Sequence, residues 1–374
     1  MAATSYMNGK QLFCLVYLFE LGSAVIVGLG MQAERDAWLA ILIGMGAGLL
    51  LAAVFLYLYR QHEGLSFVAI LEYRLGRTAG RLIGGVYVAY FLYIAARVLR
   101  DFGEVLVTTL LDQTPLFSVN ALMIAVVCWS LTMGMEVIGR AAEIILRLVG
   151  LMALATIPAI LASGIVEPQR FLPVLEKGLS PVLQTAFPLT FTFPFGETVA
   201  FTMVLPHLCS GRAAAKPLLM AMLGAGLTLT AVVSLDIAVL GAGRAASEQF
   251  PLLAVLGKIQ VGEVVQRLDP VALSTLIIGG YFKIAVFTYA GVRGLSELTG
   301  TTQPKAKLAQ LAAVGFLLLA ASVGMSSSFS EHIETGLKKV PYQMHLPLQA
   351  GVPLLLALLI KVFPRRRLPR RTAP

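Results

Sequence analysis

Charged residues are scarce in this sequence. Asp, Glu, Lys and Arg make up 13% of the 374 residues, whereas hydrophobic residues make up 57%. Soluble domains carry roughly 25% charged residues, and the mean hydropathy here is +0.82. The composition excludes an ordinary soluble domain and predicts an all-α polytopic membrane protein. The long apolar runs also exclude an outer-membrane barrel, whose strands alternate in short pieces.

Cysteine and histidine are rare too. The cysteines lie in or beside apolar runs, and we interpret them as small buried residues, not as disulfide partners: Cys14, Cys128 and Cys209. The histidines fall in predicted loop regions without metal-ligand spacing: His62, His207, His332 and His345. No phosphate-binding glycine motif or nucleophile elbow is present. We therefore expect neither an enzyme, nor a cofactor, nor a metal site.

Ten apolar runs have about the 20 residues that a membrane span needs. They lie at 11–31, 37–59, 82–110, 117–137, 142–165, 181–207, 214–242, 270–293, 307–326 and 346–363. The first run lacks a small-residue cleavage site, so we interpret it as a span and not as a signal peptide.

The ten spans predict one transmembrane permease domain over 1–374, built from two repeats. Division near Glu167 leaves five spans on each side, at about 11–165 and 181–363. Because five is odd, the second repeat enters from the opposite side of the membrane, which predicts an inverted repeat.

The basic residues predict the orientation. The formal net charge is +9, and most Lys and Arg residues of the short loops, with the basic tail 364–374, share one side if both termini are cytoplasmic. This distribution follows the positive-inside rule. The tail is also compatible with nucleic-acid binding, but we interpret it as an anchor to anionic membrane lipid.

Two connections are long enough to fold at the membrane surface. Residues 61–81 have apolar side chains at helical spacing, which predicts an interfacial amphipathic helix. Residues 250–266, on the predicted outer side, are compatible with a lid or with a plain surface helix.

Two of the spans contain residues that interrupt a helix. The sequence Phe-Pro-Phe-Gly-Glu occupies 193–197, and Glu-Leu-Gly-Ser occupies 20–23, followed by Gly28 and Gly30. Proline removes a backbone donor and glycine weakens a helix. In hydrocarbon, such breaks are tolerated only where they pack in protein or line a cavity. Equivalent breaks early in each repeat predict a binding site of the transporter type.

The predicted breaks suit a zwitterionic ligand. Freed backbone amides and helix N-termini favour a carboxylate, whereas freed carbonyls with Ser23, Thr192 and Thr198 favour an ammonium group or a cation. A small amino acid meets both requirements. Close helix packing remains the alternative for any single glycine or serine at these positions.

The third span carries four charges, Arg97, Arg100, Asp101 and Glu104. The spacing predicts i,i+4 pairs between Arg97 and Asp101 and between Arg100 and Glu104. The four residues are compatible with a buried ionic network and with a polar lining of a central cavity.

Lys283 is a lone cation in the eighth span. It is compatible with a permanent cation that replaces a coupling ion, and with an ion pair to Glu197 or Glu20. Thr288 and its aromatic neighbours suit a small-molecule pocket or plain packing. Asp236 is a weaker candidate that we place near the outer interface.

Four stretches carry a family resemblance. They are Asp-Ala-Trp-Leu-Ala at 36–40, Arg-Asp-Phe-Gly-Glu at 100–104, Gly-Met-Glu-Val-Ile-Gly-Arg-Ala-Ala-Glu at 134–143, and 193–197 followed by Phe-Thr-Met at 201–203. In order and length the chain resembles the B-subunit permeases of bacterial endospore germinant receptors, in the amino acid–polyamine–organocation superfamily.

The resemblance implies a leucine-transporter-like fold of ten helices, with helices 1 and 6 broken, in the inner membrane of the endospore. It implies assembly with a larger subunit that has a soluble domain and with a lipoprotein subunit. It also implies that a small germinant, commonly an amino acid such as alanine, binds between helices 1, 3, 6 and 8. By position, that pocket contains Gly22, Ser23, Ala96, Arg100, Phe195, Gly196, Phe287 and Thr288.

Two functions fit these expectations. The first is a germinant-sensing subunit that signals to its partners, with Glu197 beside the ligand at the breaks. The alternative is a proton- or sodium-coupled amino acid transporter, in which Glu20, Glu197 or the carboxylates of the third span take part in coupling. Both use the same site, so the sequence does not separate them.

Overall fold

The computed structural model describes residues 6–25, 27–208, 214–259 and 268–363, and most of them are helical. Cys209, part of the predicted lid and the basic tail lie outside the described residues. The α-helices are α1 Gly9–Leu21, α2 Ala37–Gln61, α3 Phe67–Leu75, α4 Arg77–Thr109, α5 Leu116–Met133, α6 Met135–Ala162, α7 Ser180–Thr185, α8 Ala215–Leu240, α9 Ala242–Ser247, α10 Pro251–Leu256, α11 Asp269–Thr299, α12 Pro304–Gly324, α13 Phe329–Glu334 and α14 Val352–Val362.

Eight helical segments within the described ranges are long and apolar enough to cross a membrane. They are Met31–Gln61, Arg77–Thr109, Leu116–Met133, Met135–Ala162, Ala215–Leu240, Pro270–Thr299, Pro304–Gly324 and Pro341–Val362. Each coincides with one predicted span, so the prediction of a multi-pass helical membrane protein is confirmed. The other two predicted spans, 11–31 and 181–207, are not continuous helices.

The first of these interrupted segments begins with a well-capped helix. Asn8 Oδ1 accepts a hydrogen bond from the Gln11 amide at 2.9 Å, and Gln11 Oε1 accepts one from the Asn8 amide at 3.0 Å, which satisfies donors at the helix start. The helix α1 then ends at Leu21, and irregular turns lead to a 3₁₀ segment, Met31–Asp36, that continues into α2.

The second interrupted segment changes its helical geometry repeatedly. It starts with α7 and continues as a wider, π-helical stretch, Ala186–Thr190. After Pro194 it resumes as a tighter, 3₁₀ segment, Phe195–Met203. Proline supplies no amide for the α-helical ladder, which explains why the regular helix stops here. Both helices are therefore interrupted where the sequence predicts breaks.

These interrupted segments lie at the centre of the bundle. The helix α1 packs against α8, α6 and α11, and α11 lies along α4. The outer helices expose apolar side chains, such as Ile144, Leu151 and Leu154 of α6, as lipid contact requires. We call the end of the bundle where α1 begins the first face, and the opposite end, with Met31–Asp36, the second face.

The connections at the two faces also fold as helices. Ser66 caps α3, whose residues Phe67, Ile70 and Leu71 are buried, so the predicted helix between 61 and 81 is confirmed. In the predicted lid, α10 packs on α8 and α11. The described part of this segment is therefore a packed helix.

Candidate functional site

The first break positions a glycine against a lysine side chain. Gly22 has φ +24°, and a Cβ atom at this position would come within 2.6 Å of Lys283 Cδ. Its amide donates to the Leu18 carbonyl at 3.0 Å, which closes the end of α1. A larger residue at position 22 would displace the lysine from the centre of the bundle.

Lys283 and Glu197 form an ion pair at this point. Lys283 Nζ lies 2.5 Å from Glu197 Oε2, and the two side chains are 0% and 2% exposed. The ammonium group also lies 4.6 Å from the ring centroid of Phe193 and 5.3 Å from that of Phe19, where the electron-rich faces stabilise a cation. Of the two partners that the sequence allows for Lys283, the structure selects Glu197.

Glu20 is the second buried carboxylate of the centre. It is fully buried, and neither of its carboxyl oxygens has a hydrogen-bond partner among the described residues. Lys283 and Glu197 are the charged groups that act on it. The centre therefore brings together two carboxylates and one ammonium group.

A small cavity lies beside this group. Its volume is about 50 Å³, which is enough for a few water molecules. It is lined by Ser23, Val27, Ile94, Arg97, Val98, Asp101, Phe193, Glu197, Ile333, Gly336, Leu337 and His345. The cavity thus touches both helix breaks, α4, α13 and the segment between α13 and α14. The Ser23 hydroxyl is buried beside it without a described hydrogen-bond partner.

The wall toward the second face is held by hydrogen bonds between α4 and α13. Arg97 Nη2 donates to the His332 carbonyl at 2.7 Å, and His332 Nε2 lies 2.8 Å from Asp101 Oδ1. The prediction of an Arg97–Asp101 ion pair is wrong, because both side chains contact His332 instead. His332 lies in α13, so the interpretation of His332 as a loop residue was also wrong.

A cluster of polar side chains lies next to the cavity, which His345 of this cluster lines. Tyr90, His345 and Gln349 are buried, and the Tyr90 hydroxyl lies 2.7 Å from both His345 Nδ1 and Gln349 Nε2. His345 and Gln349 belong to a π-helical stretch, Pro341–Gly351, a geometry frequent at functional sites. The sequence-based placement of His345 in a loop was therefore wrong as well.

A second set of polar contacts closes the site toward the first face. Arg293 donates to the Met203 carbonyl at 2.9 Å and to the Tyr289 hydroxyl at 3.0 Å, and pairs with Glu297 at 3.0 Å. Tyr289 also bonds His207, which lies at the end of the second interrupted segment. These contacts join the second break to α11, beside an open cleft of about 920 Å³.

Comparison with known proteins identifies the family. The family described as "Spore germination protein" matches residues 6–329. This chain belongs to that family. It is 38% identical to spore germination protein KB of Bacillus subtilis (strain 168) over 96% of this chain and 95% of that protein. It is 29% identical to the putative spore germination protein YfkT of the same strain, over 74% of each chain.

A more distant relative covers a similar share of the chain. Spore germination protein YndE of Bacillus subtilis (strain 168) is 24% identical over 79% of this chain and 82% of its own length. The resemblance to a spore germination permease, stated from the sequence, is thereby confirmed. The family membership and the eight apolar helical segments of the described residues together make the chain a multi-pass membrane protein of the germination permease type.

The structure distributes the predicted ligand residues over four environments. Ser23 and Glu197 line the cavity, whereas Gly22 and Gly196 lie just behind its wall against Lys283 and Gln349. Three further residues, which are fully buried in the surrounding packing, are Phe195, Phe287 and Thr288. Two more lie on other sides of α4, Ala96 beside α12 and Arg100 at α12 carbonyls.

Arg100 and Glu104 form the predicted pair. Arg100 Nη2 lies 2.6 Å from Glu104 Oε1, with the side chains 7% and 15% exposed. Arg100 also donates to the Ser322 and Val323 carbonyls at 3.2 and 2.8 Å. The pair therefore joins α4 to α12 outside the cavity. Asp236 is buried in α8, four residues before the helix ends at Leu240, and its place near the outer interface stays a prediction.

Sequence reasoning missed the cavity residues that come from the end of the chain. His345, Gly336, Ile333 and Leu337 line the cavity, and none of them belongs to a motif. The available signal was the polar spacing of His345 and Gln349, which is i,i+4 within an apolar run. Polar residues inside a span face the interior of a bundle, so this pair was detectable in principle.

Proposed function

We propose that this chain is the germinant-sensing membrane subunit of a spore germination receptor. It binds a small amino acid, such as alanine, at the two helix breaks and signals to partner subunits. The partners are a larger subunit with a soluble domain and a lipoprotein subunit, and the location is the inner membrane of the endospore with both termini cytoplasmic. The family membership and the implied leucine-transporter-like arrangement support this proposal.

The observation that carries the proposal is that charges of opposite sign line one small cavity. Arg97 and Asp101 of α4 and Glu197 of the second break line it. A guanidinium group binds a carboxylate through charge-assisted hydrogen bonds, and a carboxylate binds an ammonium group. A ligand with both groups, an α-amino acid, fits this wall better than an anion or a cation alone.

Binding requires that the cavity enlarge. Its volume is about 50 Å³, whereas small-molecule pockets usually measure roughly 300–1,000 Å³. Loss of the Arg97–His332 contact, which closes the cavity toward the second face, would admit a ligand. The ligand then favours the open state only by the difference between its affinities for the two states. That difference is the signal available to partner subunits.

A coupled amino acid transporter is the second candidate. It is favoured by the closure of the cavity on two sides, by Arg97 and His332 toward the second face and by Arg293 and Tyr289 toward the first. Alternating opening of two such closures is how transporters with interrupted helices work.

One experiment separates the two functions. Purified protein in sealed liposomes is incubated with labelled alanine and a panel of other amino acids, with and without a proton or sodium gradient. Saturable binding without accumulation is expected of the receptor. Gradient-driven accumulation would make the chain a transporter, and the absence of any binding would contradict both proposals.

A further inference from the structure

Of the two buried carboxylates at the centre, Glu20 is the one that makes no direct contact with the Lys283 ammonium group among the described ion pairs. Lys283 Nζ is already 2.5 Å from Glu197, and Glu20 has no hydrogen-bond partner among the described residues. An ionised carboxylate removed from water in this way costs several kcal/mol. Buried groups of this kind avoid the cost by taking up a proton or a cation.

The charged groups around Glu20 can be named. Lys283 of α11 and Glu197 of the second break act on it. Of the other helices against α1, α8 carries the buried Asp236, and α6 carries Glu143 and Arg147, which pair with each other near the start of α1. Glu143 also pairs with Lys10. Lys283 is the cation that acts on Glu20, and it is paired with Glu197.

We propose that Glu20 is a proton-binding site, held as a neutral carboxylic acid in this structure, and that Lys283 controls it. The protonated form needs no counter-ion, and the complete burial of Glu20 keeps it from bulk water. A sodium ion fits less well, because a hard cation requires several oxygen ligands and the Glu20 oxygens have no hydrogen-bond partner in the described part of the chain.

Movement of Lys283 would transfer the proton. If the ammonium group leaves Glu197 and approaches Glu20, the Glu20 O–H bond breaks. The proton passes to the vacated Glu197 carboxylate, or to water in the cavity that Glu197 lines. Lys283 keeps its charge throughout, so one proton is exchanged between a buried residue and the cavity. Any ligand ammonium group that takes the place of Lys283 on Glu197 would release this proton.

Infrared spectroscopy tests the proposal without any ligand. The carbonyl stretch of a protonated carboxylic acid is separate from the bands of a carboxylate, and it shifts in D₂O. Protein in lipid nanodiscs at neutral pH is compared with Glu20→Gln, Glu20→Asp, Glu197→Asp and Lys283→Met. We expect Glu20→Gln to lose one acid band, Glu20→Asp to shift it, and Glu197→Asp to leave its frequency unchanged.

Lys283→Met gives an independent prediction, because it should gain an acid band whereas Glu20→Gln should lose one. Without Lys283 both carboxylates are unpaired, so Lys283→Met should gain a second acid band in addition to that of Glu20. Asp236→Asn serves as the control, because it changes its own buried carboxyl band and leaves that of Glu20 in place. Loss of a carboxylate band in Glu20→Gln, with no acid band lost, would overturn the proposal. A shift of the acid band in Glu197→Asp alone would also overturn it, since the proton would then reside on Glu197.

Discussion

Lys283 of α11 and Glu197 of the second helix break are joined at 2.5 Å in the centre of the bundle, with side chains 0% and 2% exposed. The pair ties an unbroken helix to an interrupted one beside the cavity. Because both charges are removed from water, loss of Lys283 leaves Glu197 buried without its partner.

Lys283→Met is expected to destabilise the protein by about 3–5 kcal/mol, since it leaves Glu197 buried without its partner. The double variant Lys283→Met with Glu197→Gln removes both charges and should regain most of the lost stability. Thermal unfolding in detergent measures both. Lys338→Met is the matched control, because Lys338 and Glu334 form an exposed pair with side chains 72% and 61% exposed and should contribute about 0–1 kcal/mol. A double variant no more stable than Lys283→Met would contradict this account.

Gly196→Leu is expected to abolish ligand binding while the protein still inserts in the membrane. Even a Cβ atom at Gly196 would come within 2.1 Å of Gln349 Oε1, and Gln349 is held by Tyr90 and His345. The larger side chain must therefore displace the cluster behind the cavity. Gly46→Leu is the control, because nothing lies within 4 Å of a Cβ atom there. Wild-type binding by Gly196→Leu would remove the breaks from the site.

Glu104→Ala is expected to reduce the amount of folded protein through the loss of its pair with Arg100. The cost should lie below the roughly 3–5 kcal/mol of a fully buried pair, because Arg100 keeps two carbonyl acceptors on α12. Yield of monodisperse protein and thermal stability measure the effect, with Glu334→Ala as the exposed-pair control. Normal yield together with lost ligand binding would instead assign Glu104 to function.

His62 predicts a pH dependence of stability. Burial lowers the pKa of His62 from its ordinary 6.5, and the nearby Arg74 guanidinium lowers it further. Arg74 Nε donates to His62 Nε2 at 2.7 Å, which requires the neutral imidazole. The unfolded chain therefore binds the proton first. The contribution is fully present above pH 6.5 and is lost as the pH falls from there to the folded-state pKa.

A comparison of unfolding temperatures across this range tests the prediction. The wild type should lose stability on acidification, and His62→Gln should lose less over the same interval. Equal losses in the two proteins would show that another group is responsible.

Local chemistry explains which parts of the site were predictable. Pro194, Gly196 and Glu197 are costly inside an apolar run, so the sequence alone indicates a break there. The i,i+4 pair of Arg100 and Glu104 was equally local. By contrast, Asp101 pairs with His332, 231 residues away in sequence, and no periodicity reports such a partner. The Arg97–Asp101 prediction failed because a tertiary contact replaced a local one.

The length of the apolar runs predicted the spans but not their continuity. The runs around α2, α4 and α11 are unbroken helices, whereas the stretch Pro341–Gly351 is π-helical and contains Pro347, which disturbs an α-helix without specifying the π geometry. Its course depends on the packing of His345 and Gln349 against Tyr90, which is fixed only when the helices assemble.

The measurement that tests the central claim most directly is equilibrium binding of labelled amino acids to wild type, Arg97→Gln and Glu197→Gln. A charge-assisted hydrogen bond contributes about 1.5–3 kcal/mol, so each variant should weaken binding by roughly 10- to 100-fold. Esters and deaminated analogues of the bound amino acid should lose affinity in the wild type by a similar factor. Unchanged affinity in both variants, with Gly46→Leu as the folded control, would contradict a ligand site between the two helix breaks.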